Sequence, residues 1–205
     1  MRNIIYILFF MSVALHAQTK MSTAESATLK AKVKAQAFTI NTLLSDFTQY
    51  KHLDFLSNDI ITSGKLSFKS PNMVKWEYVT PFKYAVLFKN ETLFINDEGK
   101  KSNIDIGSNK MFKQLNTLII NSVKGDMFDE NEFDITCFKN GANSEVYFSP
   151  KDKKFSKYIK AFQIIFNKDG DVVELKMIEP SEDYTKIVFS NRTVNMNLSD
   201  AIFNQ

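Results

Sequence analysis

The chain is predicted to be mainly β with helices, built on an antiparallel meander, and three observations predict it. Apolar and polar residues alternate strand by strand through residues 63–99, turn residues punctuate those runs, and helical periodicity replaces the alternation in only two stretches. The count comes to roughly nine to eleven strands and two substantial helices. A sheet of that size either closes on itself or stays half open with helices across its mouth, which leaves room for a ligand. Pattern alone does not choose between the two.

The first residues read as a cleavable export signal: Arg2, an apolar run over residues 4–13, and Leu15-His16-Ala17 before a polar stretch. A membrane anchor is the competing reading, but about ten apolar residues fall short of the roughly 20 needed to span a bilayer. Cleavage after Ala17 leaves residues 18–205, read as one domain with a sizeable core. No cysteine sits at the cleavage site to be lipidated, and the sole cysteine, Cys137, alternates with Phe133 and Ile135 as a small buried hydrophobe.

Residues 25–40 carry Leu29, Val33, Ala37 and Ile40 at helical spacing, so one amphipathic helix should lie on the sheet by that stripe. A strand follows over residues 43–51. Next come Leu66 and Phe68, then Val74, Trp76 and Tyr78, then Tyr84, Val86 and Phe88, then Leu93 and Ile95, each set on one strand face. The other face carries Lys65, Lys69, Lys75, Glu77, Lys83 and Lys89. Ser70-Pro71-Asn72, Thr80-Pro81 and Asn96-Asp97-Glu98-Gly99 are turns. Over residues 108–124 Met111, Phe112, Leu115, Leu118 and Ile119 return to helical spacing, ended by Gly125. Strands are then expected near residues 132–138, 145–149, 161–167, 172–179 and 184–191, with a short helix or loop over 150–158 and turns at Asn140-Gly141 and Asp169-Gly170.

Composition narrows the function. The net charge is +3 with lysines dispersed along strands, which argues against a nucleic-acid partner. The 19 phenylalanines either fill a large core or line a space for hydrocarbon. Once His16 leaves with the leader, His52 is the one histidine, set in a polar connection. Neither a zinc cluster, a phosphate loop nor a nucleophile elbow can be assembled, so no enzyme chemistry and no cofactor is expected. Asp126, Asp129, Glu130, Glu132 and Asp134 are dense but lack calcium-loop spacing, so no metal is expected there. Asn90-Glu91-Thr92 and Asn191-Arg192-Thr193 match the glycosylation acceptor pattern, which is short enough to recur by chance.

Several blocks, in order, resemble the LolA-like periplasmic lipoprotein carriers. Phe47-Thr48-Gln49 with Lys51 is similar to their Phe-x-Gln-x-Lys/Arg strand, and Ser63-Gly64 with Leu66 and Phe68 to their Gly-x-Leu-aromatic strand. Pro71 through Trp76, with Tyr78 and Pro81, is similar to their Pro, Trp, Pro block. Phe94 with Asn96-Asp97 falls at their Trp-x-Tyr-Asp strand end, and residues 162–177 resemble their later hairpin. The resemblance covers nearly all of residues 18–205.

The resemblance implies a half-open antiparallel barrel whose helices form a lid over a hydrophobic cavity. It implies a periplasmic monomer that binds acylated lipoproteins, receives them from an inner-membrane release complex and passes them to an outer-membrane acceptor. Leu66, Phe68, Val74, Trp76, Tyr78, Val86 and Phe88 would line the cavity, under a lid bearing Phe112, Leu115, Leu118 and Ile119. Two alternatives stay open: another acyl lipid, such as a glycolipid or pigment precursor, as cargo, or a filled core in a non-catalytic interaction module. The chain departs from the pattern at Ser70, before Pro71, where many members carry a latch arginine, and Lys69 should point to the opposite face. Members also often continue into a Pro-Gly segment beyond the position of Phe203, a tail whose role is expected to be missing or performed differently.

Overall fold

The computed structural model describes residues 18–89, 92–105 and 125–204. The helix expected over residues 108–124, with Phe112, Leu115, Leu118 and Ile119, and the leader over residues 1–17 lie outside the described residues. The elements in chain order are β1 (Thr19–Lys20), α1 (Thr23–Phe38), β2 (Thr42–His52), β3 (Ile60–Lys69), β4 (Met73–Thr80), β5 (Tyr84–Lys89), β6 (Thr92–Asp97) and β7 (Lys100–Asp105). There follow β8 (Phe133–Asn140), β9 (Asn143–Pro150), β10 (Ala161–Phe166), β11 (Val172–Ile178) and β12 (Tyr184–Val194), with 3-10 turns at Phe155–Lys157 and Asp200–Phe203.

The strands form one 12-stranded sheet in the order β1-β8-β9-β10-β11-β12-β2-β3-β4-β5-β6-β7. Two meanders, β2 to β7 and β8 to β12, are therefore joined where the last strand pairs with β2, from Tyr184↔His52 to Val194↔Leu43. The ends β1 and β7 do not meet, so the sheet stays open.

Most of the meander follows the predicted pattern, and the two strands without a sequence signal are the edges. β7 reads KKSNID, with Ile104 its single apolar residue, and β1 is two polar residues held by pairing with β8. Both are extended because a neighbour offers backbone hydrogen bonds, a cause that side-chain alternation does not record.

α1 starts two residues before its predicted position because Ser22 caps it. The Glu25 N–H donates to Ser22 Oγ at 3.3 Å and the Ser22 N–H donates to Glu25 Oε2 at 2.9 Å, a reciprocal capping box. Leu29, Val33 and Ala37 form its buried stripe on the sheet.

Beneath and beside α1 the apolar residues separate into two packed groups. One joins Leu29 and Val33 to Phe133, Cys137, Val146, Phe148, Phe162, Ile164 and Phe166 on β8 to β10. The other joins Ile40 and Leu43 to Leu66, Phe68, Val74, Phe88 and Leu93 on β3 to β6. A third, smaller group lies on the opposite sheet face, where Leu198 and Phe203 cover Leu87. That face is thus not purely polar: the segment after β12 folds back over it, and Lys69 reaches Leu198 O at 3.1 Å and Asp200 Oδ1 at 2.6 Å.

Candidate functional site

Cross-strand register brings the alternating residues into rows. Leu66, Trp76, Val86 and Ile95 stand side by side across β3 to β6, and Phe68, Val74, Phe88 and Leu93 form the next row. Tyr78 pairs with Gly64 and Tyr84 in a third. Gly64 is required there: a Cβ would lie 2.0 Å from Glu77 O and 2.7 Å from Phe47 Cζ, so only hydrogen lets the Phe47 ring cross β3.

Between the two large groups the packing leaves a cavity. Its volume is about 120 Å³, and it opens to solvent. Its walls come from α1 (Val33, Gln36, Ala37), the residues after it (Ile40, Leu43, Ser45), β3 and β4 (Leu66, Trp76), and β10 to β12 (Phe162, Ile164, Leu175, Phe189). Apolar side chains dominate, a dry surface suited to hydrocarbon.

Of the residues predicted to line a cavity, Leu66 and Trp76 do so. Phe68, Val74 and Phe88 instead fill the neighbouring row, at 2%, 0% and 7% exposure, packed with Ile40, Leu43 and Leu93. Residues on one face share a side of the sheet, but Phe68, which stands beside Leu43 in the β2–β3 register, is enclosed with Val74 and Phe88 among core side chains, whereas Leu66 and Trp76 border the open space. Val86 is half-buried against the same group. Tyr78 donates its hydroxyl hydrogen to Gln49 Oε1 at 2.9 Å, and burial pushes its pKa above the usual tyrosine value.

Trp76 is the most exposed to circumstance. Its ring contacts Phe47 at 4.8 Å and Phe189 at 6.0 Å between centroids, and its buried indole N–H has no hydrogen-bond partner among the described residues. The Tyr78 hydroxyl is near enough to feel the indole but does not meet hydrogen-bond geometry. A buried donor left unmade costs about 1–3 kcal/mol.

Sequence reasoning missed the walls from α1 and from β10 to β12, including Val33, Leu175 and Phe189. Their strands were legible, but their position opposite Trp76 depends on the long-range pairing of β12 with β2. It also missed Gln36, Asp171 and Arg192, where Arg192 Nη1 donates to Asp171 Oδ1 at 2.7 Å and Gln36 Nε2 donates to the same oxygen at 3.0 Å.

The latch position reads differently in the fold. Ser70 and Pro71 are exposed in the β3–β4 turn, and the Ser70 N–H donates to Asn41 O at 2.8 Å, just past α1. Lys69 points to the opposite face, as alternation predicts. His52 is more engaged than a solvated histidine: Nδ1 lies 2.8 Å from Asp59 Oδ1 and the ring stacks on Tyr184. Among the acidic residues near 130, Asp126 pairs with Lys34, Glu130 with Lys30 and Asp134 with Lys151. Burial raises the Cys137 thiol pKa, which keeps it protonated and unreactive.

A family model described as outer membrane lipoprotein carrier protein LolA matches residues 38–205. The chain belongs to the LolA family. The LolA match begins at the last residue of α1, so the matched span holds every strand except β1. Solved structures agree in fold. The Mycobacterium tuberculosis lipoprotein LppX has a TM-score of 0.52 at 7% identity, covering 87% of this chain and 100% of that one. A putative outer membrane lipoprotein-sorting protein domain from Vibrio parahaemolyticus has 0.50 at 9%, covering 89% and 97%. A DUF1329 family protein from Desulfovibrio piger has 0.50 at 15%, covering 87% and 96%. No curated protein is similar enough in sequence to count as a match. The LolA fold here is thus that of a carrier family, with an apolar cavity on the helix-bearing face of an open sheet.

Proposed function

We propose that this protein is an exported, periplasmic carrier that takes the acyl chains of lipoproteins into the cavity beside Trp76 and ferries them from the inner to the outer membrane. The observation that carries the reading is the separation of the core into two packed groups with an apolar, solvent-connected space between them. The physical need is large, since burying hydrocarbon yields about 0.8 kcal/mol per methylene and a 16-carbon chain left in water costs about 12 kcal/mol. The acyl chains would lie against Leu66, Trp76, Phe189 and Leu175, and partners would be a release complex on one membrane and an acceptor on the other.

A carrier must also let go. The cavity is too small, as it stands, for several long chains, so loading is expected to part α1 from the sheet and unloading to let it return. No bond is made or broken in this cycle.

The test is mass spectrometry of what stays bound to the mature protein purified without detergent from its native compartment, together with titration of acyl lipid into the emptied protein. Bound acylated lipoprotein and a shift in Trp76 emission are expected, Trp76 being the single tryptophan. Recovery of a glycolipid or pigment precursor instead would change the cargo and keep the carrier. An empty protein whose emission ignores acyl lipid would overturn the reading.

A further inference from the structure

Apart from Ser45, whose hydroxyl is taken up by the Asp46 and Ser190 carbonyls, the polar lining of the cavity is gathered in one place. There Gln36 of α1 and Arg192 of β12 converge on a single carboxylate oxygen, Oδ1 of Asp171, the last residue of the β10–β11 turn. The arrangement depends on local backbone features. Between Ser190 and Thr193 the β12 register against β2 shifts, and Asn191 takes a positive φ of 50°. That bulge lets Phe189 and Arg192, three residues apart, both line the cavity, which strict alternation forbids. On the other side Gly170, at φ 92°, lets the turn approach α1 so closely that a Cβ would meet Lys32 Cγ at 3.2 Å and Val33 Cα at 3.4 Å.

The pair is neither sealed nor washed by bulk water: the Arg192 and Asp171 side chains are 24% and 13% exposed. A guanidinium carries five N–H donors in a rigid fork. Arg192 lines the cavity and spends one nitrogen on Asp171, and its other donors have no partner among the described residues. Asp171 already balances the charge. A carboxylate or phosphate brought to Arg192 would therefore come close to Asp171 and be repelled. A carbonyl oxygen would not, and a hydroxyl or amide N–H beside it could donate to Asp171.

Resting on the carrier reading above, we propose that Arg192 and Asp171 form a head-group site that selects amphiphiles whose chains end in a neutral hydrogen-bonding linkage, an ester or amide carbonyl next to a donor, over free fatty acids. The chains lie in the apolar part of the cavity and the linkage sits at its polar wall. Arg192 holds the carbonyl, Asp171 holds the donor and excludes anions, and Gln36 orients Asp171.

The experiment compares monoolein, a neutral ester with free hydroxyls, with oleate, which has the same chain and a carboxylate, both below their aggregation concentrations and followed through Trp76 emission. The wild type is expected to bind monoolein at least tenfold more tightly than oleate. Arg192→Gln should weaken monoolein about tenfold and leave oleate within twofold. Asp171→Asn, which leaves Arg192 charged and unopposed, should reverse the preference in favour of oleate. Thermal unfolding checks that each variant is folded, and Arg192→Lys, which keeps the charge but loses the fork, replaces Arg192→Gln if that variant fails to fold. Equal binding of both lipids by the wild type, or a preference untouched by both substitutions, would overturn the head-group site while leaving the carrier standing. Failure of both lipids to bind would overturn the carrier and the site with it.

Discussion

Phe47 is 1% exposed, touches Trp76 and Tyr78, and holds its place because residue 64 is glycine. Gly64→Ala should cost about 1–3 kcal/mol, because the new methyl meets the Glu77 carbonyl, which is part of the sheet and cannot swing away. Urea unfolding measures it, and an unchanged midpoint would contradict the close approach. Glu145 presents a second test. It is 1% exposed, yet it accepts from Gln18, Asn140, Tyr147 and Gln163, so four neutral donors satisfy its carboxylate in place of a cation. Glu145→Gln turns one acceptor into a donor facing donors, and should destabilise by about 1–3 kcal/mol in the same measurement. Glu145 does not stand out in the sequence and Gly64 is marked there only as part of a motif; what faces each of them is visible only in the register.

Elements were more legible than residues. The α1 stripe, the β3 to β6 rows and the turns at Ser70-Pro71 and Thr80-Pro81 follow from periodicity and turn chemistry, which are local. The edge strands, the cavity wall from β10 to β12 and the Arg192 bulge were not legible, because each is decided by partners far along the chain. The capping of α1 leads to a pH effect. The Lys139 ammonium and the Ser22 groups hold the Glu25 carboxyl down, from about 4.5 to about 2. A carboxyl with a depressed folded pKa contributes stability above its unfolded pKa and loses it as pH falls through the folded one. Stability from this cap should therefore be complete above pH 4.5 and fade toward pH 2, and Glu25→Gln should flatten that part of the acid-unfolding profile. The C-terminal turn is likewise testable. Phe203 is 1% exposed against Leu87 on the opposite face, so Phe203→Ala should cost about 3–5 kcal/mol without altering lipid binding, since it lies across the sheet from the cavity.

At the scale of the molecule, stability and the proposed cargo site are in competition. Two packed groups flanking a space give less burial than one continuous core, and filling the space should strengthen the protein while excluding lipid. Val172→Phe, from the cavity wall, is expected to hold or raise the melting temperature and to lower acyl-lipid affinity at least tenfold; unchanged affinity would show that hydrocarbon binds elsewhere. The joining of the meanders also has a temporal consequence. The ladder at the middle of the sheet pairs residues 43–52 with residues 184–194, so β2, which finds β3 early, waits for almost the whole chain before it finds its second partner. Contacts between such distant segments are slow to form, because the loop between them must be closed before any bond repays it. A growing chain of this sequence can make its hairpins one after another, but it cannot complete its fold until the last strand has emerged. It therefore stays open and threadable for most of its synthesis, a useful property in any protein that has to pass through a membrane pore before it folds.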